Sequence, residues 1–137
     1  VSLLGSGRSS RALPRNLQED AMPLTAKYLF IVSMDVEPDY EDLFNEVYDT
    51  EHVPNICKVP GVITAYRLKL EEAPLSVGSR ASGQSAAPLQ KYMAIYELER
   101  PDIPGSDAWA AQAEIGRWPT EVRPHTLNRR HELRKIM

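Results

Sequence analysis

Among the residues of this chain that could do chemistry, one histidine stands out. His52 lies in the run LFNEVYDTEHVPNICKVPGV, residues 43–62, with Tyr48 and Asn45 upstream of it. On a helix, Asn45, Tyr48 and His52 fall at i, i+3 and i+7 and share one edge. An imidazole ionising near neutrality can take a proton from an acidic carbon or a phenol, while Tyr48 and Asn45 orient the polar atoms of a ligand. Asp49 or Glu51 could then fix the imidazole tautomer. A structural reading competes with this one. A histidine closing a helix meets the negative end of the helix dipole and needs no further role, and Tyr48 can be a core residue with its hydroxyl at the rim.

Further along, Tyr66 and Arg67 form a second candidate pair for an anionic or aromatic ligand, although Arg67 can equally pair with an acid across strands. Tyr28 and Trp109 join them as ligand-binding candidates, Trp109 reading also as core. No metal is expected, because His125 and His131 lack the helix-pair or Cys/His spacing of a zinc site. Cys57, the single cysteine, reads as a small buried hydrophobe with no base beside it. The sequence has no Gly-rich phosphate loop, no GxSxG and no HExxH, which disfavours nucleotide and hydrolase chemistry. No cofactor is expected.

The elements that must hold these residues follow from periodicity. Residues 27–35, KYLFIVSMD, are apolar at nearly every position and predict a strand covered on both faces. Glu37, Pro38 and Asp39 open a helix over about 39–51, in which Tyr40, Leu43, Phe44, Val47 and Tyr48 make one apolar stripe. Pro54 should break or restart that helix near His52. Residues 62–71 alternate as a strand, with Val62, Thr64, Tyr66, Leu68 and Leu70 on one face and Ile63, Ala65, Arg67 and Lys69 on the other. Residues 73–89, small, polar and bounded by prolines, predict a long loop, a lid in one reading. A strand over 90–99 follows, then a helix capped by Ser106 that stops near 116–119, and a basic segment over 123–137 that is partly strand.

The order βαββαβ predicts an α+β fold, a ferredoxin-like plait with an antiparallel sheet and both helices on one face. Because the strands over 27–35 and 90–99 are apolar on both faces, the free face is expected to cover itself against a second copy, giving a homodimer through sheet faces. The expected division is a disordered tail over 1–25 and a single domain over 26–137. The tail has arginines and serines before its first acid, a faint trace of an organelle leader, but no secretory apolar core. A net charge of −3 argues against nucleic-acid or anionic-membrane partners. The lone cysteine and the lack of an apolar run of roughly 18 to 20 residues point to a cytoplasmic protein without a membrane span.

The run FNEVYDTEHVPNICKVPGVITAYRL, residues 44–68, and VRPHTLNRRHELRKI, residues 122–136, resemble the dimeric α/β-barrel superfamily, in particular its EthD-like and uncharacterised bacterial members. The resemblance implies two plaits packed sheet to sheet, each with a pocket between its sheet and helices. Members of that superfamily include cofactor-free monooxygenases, cyclases, lactone isomerases, haem-degrading enzymes and proteins with no known reaction, so one fold hosts many chemistries. Three functions stay open: a cofactor-independent enzyme acting on a small apolar oxygenated ring compound with His52 as general base, a non-catalytic small-molecule-binding or accessory dimer, and a haem-binding or haem-degrading protein.

Overall fold

The apolar run after Lys27 forms the centre of an antiparallel sheet. In the computed structural model, which describes residues 26–74, 76–77, 80–81 and 89–137, the strands are β1 (Tyr28–Val36), β2 (Val62–Lys69), β3 (Ser76–Val77), β4 (Arg80–Ala81), β5 (Tyr92–Leu98) and β6 (Thr126–Lys135). Four of them make one sheet in the order β2-β5-β1-β6, every pair antiparallel. The segment expected as a tail, 1–25, lies outside the described residues. So does much of the 73–89 loop, whose described part includes the short β3-β4 ladder.

One face of the sheet carries the core. Val32 and Met34 of β1 and Tyr92, Ala94, Tyr96 and Leu98 of β5 pack against Phe44, Val47, Ile56, Ile103, Trp118 and Val122. The alternating residues Leu29, Ile31, Met93 and Ile95 point to the opposite face, as the period of two demands. In β2 the expected faces are wrong at the start. A bulge between Val62 and Thr64 lets Val62 and Ala65 share the core face, while Tyr66 stays half exposed on the other.

The first helical stretch does not end at His52. It runs through a 3-10 turn (Pro38–Tyr40), α1 (Glu41–Val47), a π-turn (Tyr48–His52) and α2 (Val53–Ile56). At the junction the Val53 N–H donates to the Tyr48 carbonyl, five residues back. Shifting the ladder by one residue there accommodates Pro54, which has no N–H and whose ring would crowd the carbonyl four residues before it. His52 is therefore mid-helix and buried, and the reading as a cap at a helix end is corrected. Cys57, at the true end, is exposed rather than buried.

Ser106 caps α3 (Asp107–Ala113) as expected, its Oγ accepting from the Trp109 N–H at 3.2 Å and donating to the Ile103 carbonyl at 2.7 Å. Gly116 then takes φ of 79°, and a Cβ there would meet Glu51 Oε1 at 2.5 Å. That close approach lets Glu51 accept from the Arg117 N–H at 2.9 Å and from its Nε at 2.6 Å. The clamp sets a second π-turn (Trp118–Val122) against the first, an element the sequence did not announce. Among the described residues no helix is long and apolar enough to cross a membrane.

Candidate functional site

Opposed π-turns build the centre of the site. Tyr48 and His52 come from the first and Trp118 from the second, with the His52 ring stacked on Trp118 at 4.4 Å and 20° and meeting Tyr48 edge-on at 5.2 Å. His52 is 8% exposed, and its Nδ1 is buried without a hydrogen-bond partner. Burial, helped by the Arg123 guanidinium and opposed by Glu114, lowers its pKa to about 4. The imidazole is thus neutral at physiological pH. Neither acid expected to fix its tautomer does so, since Glu51 accepts from Arg117 and Asp49 from Arg67.

His52 borders a cavity of about 240 Å³ between the sheet and the helical segments. Phe30, Tyr48, Tyr96, Trp109 and Trp118 give it aromatic walls, and Arg123, Arg129 and His131 contribute charge and polarity. The Tyr48 side chain lies beside Tyr96, and burial pushes its pKa up to about 12 despite the opposing influence of the Tyr96 hydroxyl and Arg67. Both hydroxyls stay protonated and can donate. Arg123 is held by Glu114 and by the Ala113 carbonyl. His131 stacks on Phe30 at 5.9 Å, and its pKa is lowered by burial first and by Arg129 second.

Of the residues singled out from sequence, His52, Tyr48 and Trp109 line this cavity, and the other four do not. Asn45 faces a separate polar cluster: its Nδ2 donates to the Tyr92 hydroxyl at 3.2 Å and its Oδ1 accepts from Arg67 at 3.0 Å. Arg67 also donates to Asp49 at 2.8 Å and lies 4.5 Å from the centroid of the Tyr48 ring, a cation–π contact that backs the cavity wall from behind. Tyr66 is on the opposite face of the sheet, and Tyr28 packs at the edge of the core. Among the described residues no cluster of three His, Cys, Asp or Glu side chains could hold a metal ion.

Trp118 and Arg129 were not singled out from the sequence as site residues, and His131 was weighed there only as a metal ligand. Trp118 lies in a Pro-containing run with no periodicity. The other two depend on a bulge in β6. Ser33 of β1 pairs with Arg130 and Asp35 with Leu127, so two residues of β6 oppose Met34. Asn128 absorbs the extra residue at φ 55°, a left-handed conformation that Asn tolerates better than most side chains. Its Nδ2 donates to Asp35 Oδ2 at 2.8 Å and its carbonyl accepts from Gln90 Nε2 at 3.0 Å. Without the bulge, strict alternation from Leu127 would turn Arg129 and His131 to the opposite face. Asn128 between Leu127 and Arg129 was the one available signal.

Among solved structures, the chain is similar to the crystal structure of an ethyl tert-butyl ether D (EthD) family protein from Bacillus halodurans, with a TM-score of 0.53. Sequence identity is 12%, over 80% of this chain and 99% of that one. The likeness concerns the fold, which is EthD-like: α+β, with a four-stranded antiparallel sheet and helices consistent with a ferredoxin-like plait. No family model matches the sequence. No curated protein matches it either.

Proposed function

We propose that the cavity beside His52 binds a compact oxygenated ring compound and that His52 accepts a proton from it, in a cofactor-independent reaction of the isomerase, cyclase or monooxygenase type. The observation that carries this reading is a neutral, buried imidazole bordering an aromatic cavity, with no acid or carbonyl among the described residues holding its ring. Removing the proton leaves its electron pair on the ligand as an enolate or phenolate. Returning it at another atom isomerises the ligand, whereas oxygenation additionally consumes dioxygen. A base of pKa about 4 facing a phenol of about 10 works uphill by about 8 kcal/mol, so the developing anion needs the cations of the site.

The same low pKa favours a second reading, a binding protein in which His52 is only a hydrogen-bond partner. Haem is the weakest fit. Pockets for drug-sized ligands are about 300–1,000 Å³, and the cavity, at about 240 Å³, falls below even that range. We further infer a homodimer through the free sheet face. Support comes from the apolar row Leu29, Ile31, Met93 and Ile95, extended by Tyr66 at 50% and Leu68 at 44% exposure.

The test is a histidine NMR titration with compact phenols and lactones, followed by product analysis, for wild type and His52→Ala. A ligand that shifts the His52 resonance and is turned over only by wild type supports catalysis. Binding without turnover selects the second reading, and an unperturbed His52 at saturating ligand discards both.

A further inference from the structure

We infer that the ring compound held in this cavity carries a carboxylate, and that Arg129, placed at the cavity's rim by the Asn128 bulge, is the residue that selects it. This deepens the reading above and rests on it. Three observations converge. The cavity walls are aromatic on several sides, including Phe30, Trp109 and Trp118, and suit the faces of a planar ring. Two cations border the cavity, but they are not equivalent. Arg123 is bound to Glu114 and the Ala113 carbonyl, so its charge is largely answered within the protein. Arg129 makes no ion pair among the described residues, is exposed to solvent, and borders the cavity beside His131, whose proton affinity it depresses.

A planar guanidinium with an open fork matches a carboxylate through two parallel N–H donors. The neutral His131 ring beside it can donate one more N–H. The neutral His52 ring borders the same cavity and can meet a hydroxyl or acidic C–H of the same ligand. The ligand class is therefore a monocyclic carboxylic acid with its anionic group toward β6 and its ring toward Trp118. Asn128 is a positioning residue. It touches no ligand, but its left-handed backbone decides which face of the sheet Arg129 occupies. Nothing else in β6 would compel this, since the strand is polar on both faces and has no apolar pattern to fix its register.

Both tryptophans of the chain border the cavity, so their fluorescence reports its occupancy. The probes are benzoate and its uncharged isostere benzamide, titrated into the full chain. Saturable quenching by benzoate at an affinity about tenfold above benzamide, equivalent to about 1.4 kcal/mol, is the expected result. Arg129→Gln should bring benzoate down to the benzamide level and leave benzamide unchanged. Asn128→Gly, which keeps the left-handed backbone available, should preserve the tenfold preference, and Asn128→Val should abolish it with benzamide binding retained. Equal binding of the two probes by wild type would overturn the carboxylate assignment while leaving the cavity reading intact. No quenching by either would remove both. An unchanged preference in Arg129→Gln would overturn the role of Arg129, and an unchanged preference in Asn128→Val the role of the bulge.

Discussion

Burial of His52 should make stability fall steeply on mild acidification, and replacing it by Gln should remove most of that slope. In the folded chain the imidazole has a pKa of about 4, against 6.5 when solvated. Between these values the unfolded state binds the proton and the folded state does not, so lowering the pH favours unfolding. The stability associated with the neutral ring is fully present above pH 6.5 and lost as the pH falls toward 4. The whole window is worth about 3 kcal/mol, and about 2 kcal/mol is already gone at pH 5. The groups that set the folded value surround the ring: Trp118 and Tyr48 exclude water, Arg123 opposes protonation and Glu114 favours it, with Arg129 and His131 across the cavity. His131 is also held below its usual pKa, but it titrates in both proteins and cancels from the comparison. Urea denaturation of wild type and His52→Gln at pH 7.5 and pH 5 measures the difference. Wild type should lose about 2 kcal/mol more than the variant across that interval. Parallel losses would mean that His52 is solvated or partnered in solution, and the case for a buried neutral base at the cavity would collapse.

The remaining predictions concern the support behind the cavity and the free face of the sheet. Arg67→Lys keeps the charge but cannot reach Asp49 and Asn45 together while lying flat on Tyr48, so it should cost about 1–2 kcal/mol, read as a lower urea midpoint at unchanged m. An unaltered midpoint would show that the guanidinium geometry is incidental. Ile95→Glu puts a charge opposite Ile31 in the middle of the free sheet face. Sedimentation velocity should show a dimeric wild type and a monomeric variant, and the same distribution for both would refute dimerisation through this face.

Much of the scaffold was legible because it follows simple periods. The doubly apolar runs around Ile31 and Ile95 could only be strands, and Ser106 announced its helix through the hydroxyl that bonds the Trp109 N–H. Tyr48 and His52 were found together because a helical spacing of four survives the π-turn well enough to keep both on the cavity side. Asn45 was drawn into the same group by that spacing, yet it faces Tyr92 and Arg67. A π-turn widens the ladder, and residues before and after it no longer share the edge that a regular helix would give them. Pro54 was a correct warning: of the two expected outcomes, a break or a restart near His52, the chain takes the restart, shifting hydrogen bonds through the π-turn so that α2 begins at Val53. The positions of Trp118, Arg129 and His131 depend on irregularities, and irregular backbone leaves no period to read.

Those irregularities are concentrated around one place. The cavity draws Tyr48 and His52 from one π-turn, Trp118 from another, and Arg129 and His131 from the strand segment that follows a left-handed bulge. Each departs from the backbone geometry that would be cheapest locally, and each is held by specific polar contacts: Glu51 on Arg117 beside Gly116, and Asp35 on Asn128. Core packing alone would not select them, because a regular β6 would still pair with β1 and the helices would still cover the sheet. What the regular version would lose is the placement of Arg129 and His131 at the cavity and the stacking of Trp118 on His52. Strain of this kind persists where surrounding contacts over-determine it and is concentrated at sites of binding or catalysis. The concentration of three such features on one cavity favours a ligand there over a histidine buried merely to fill space.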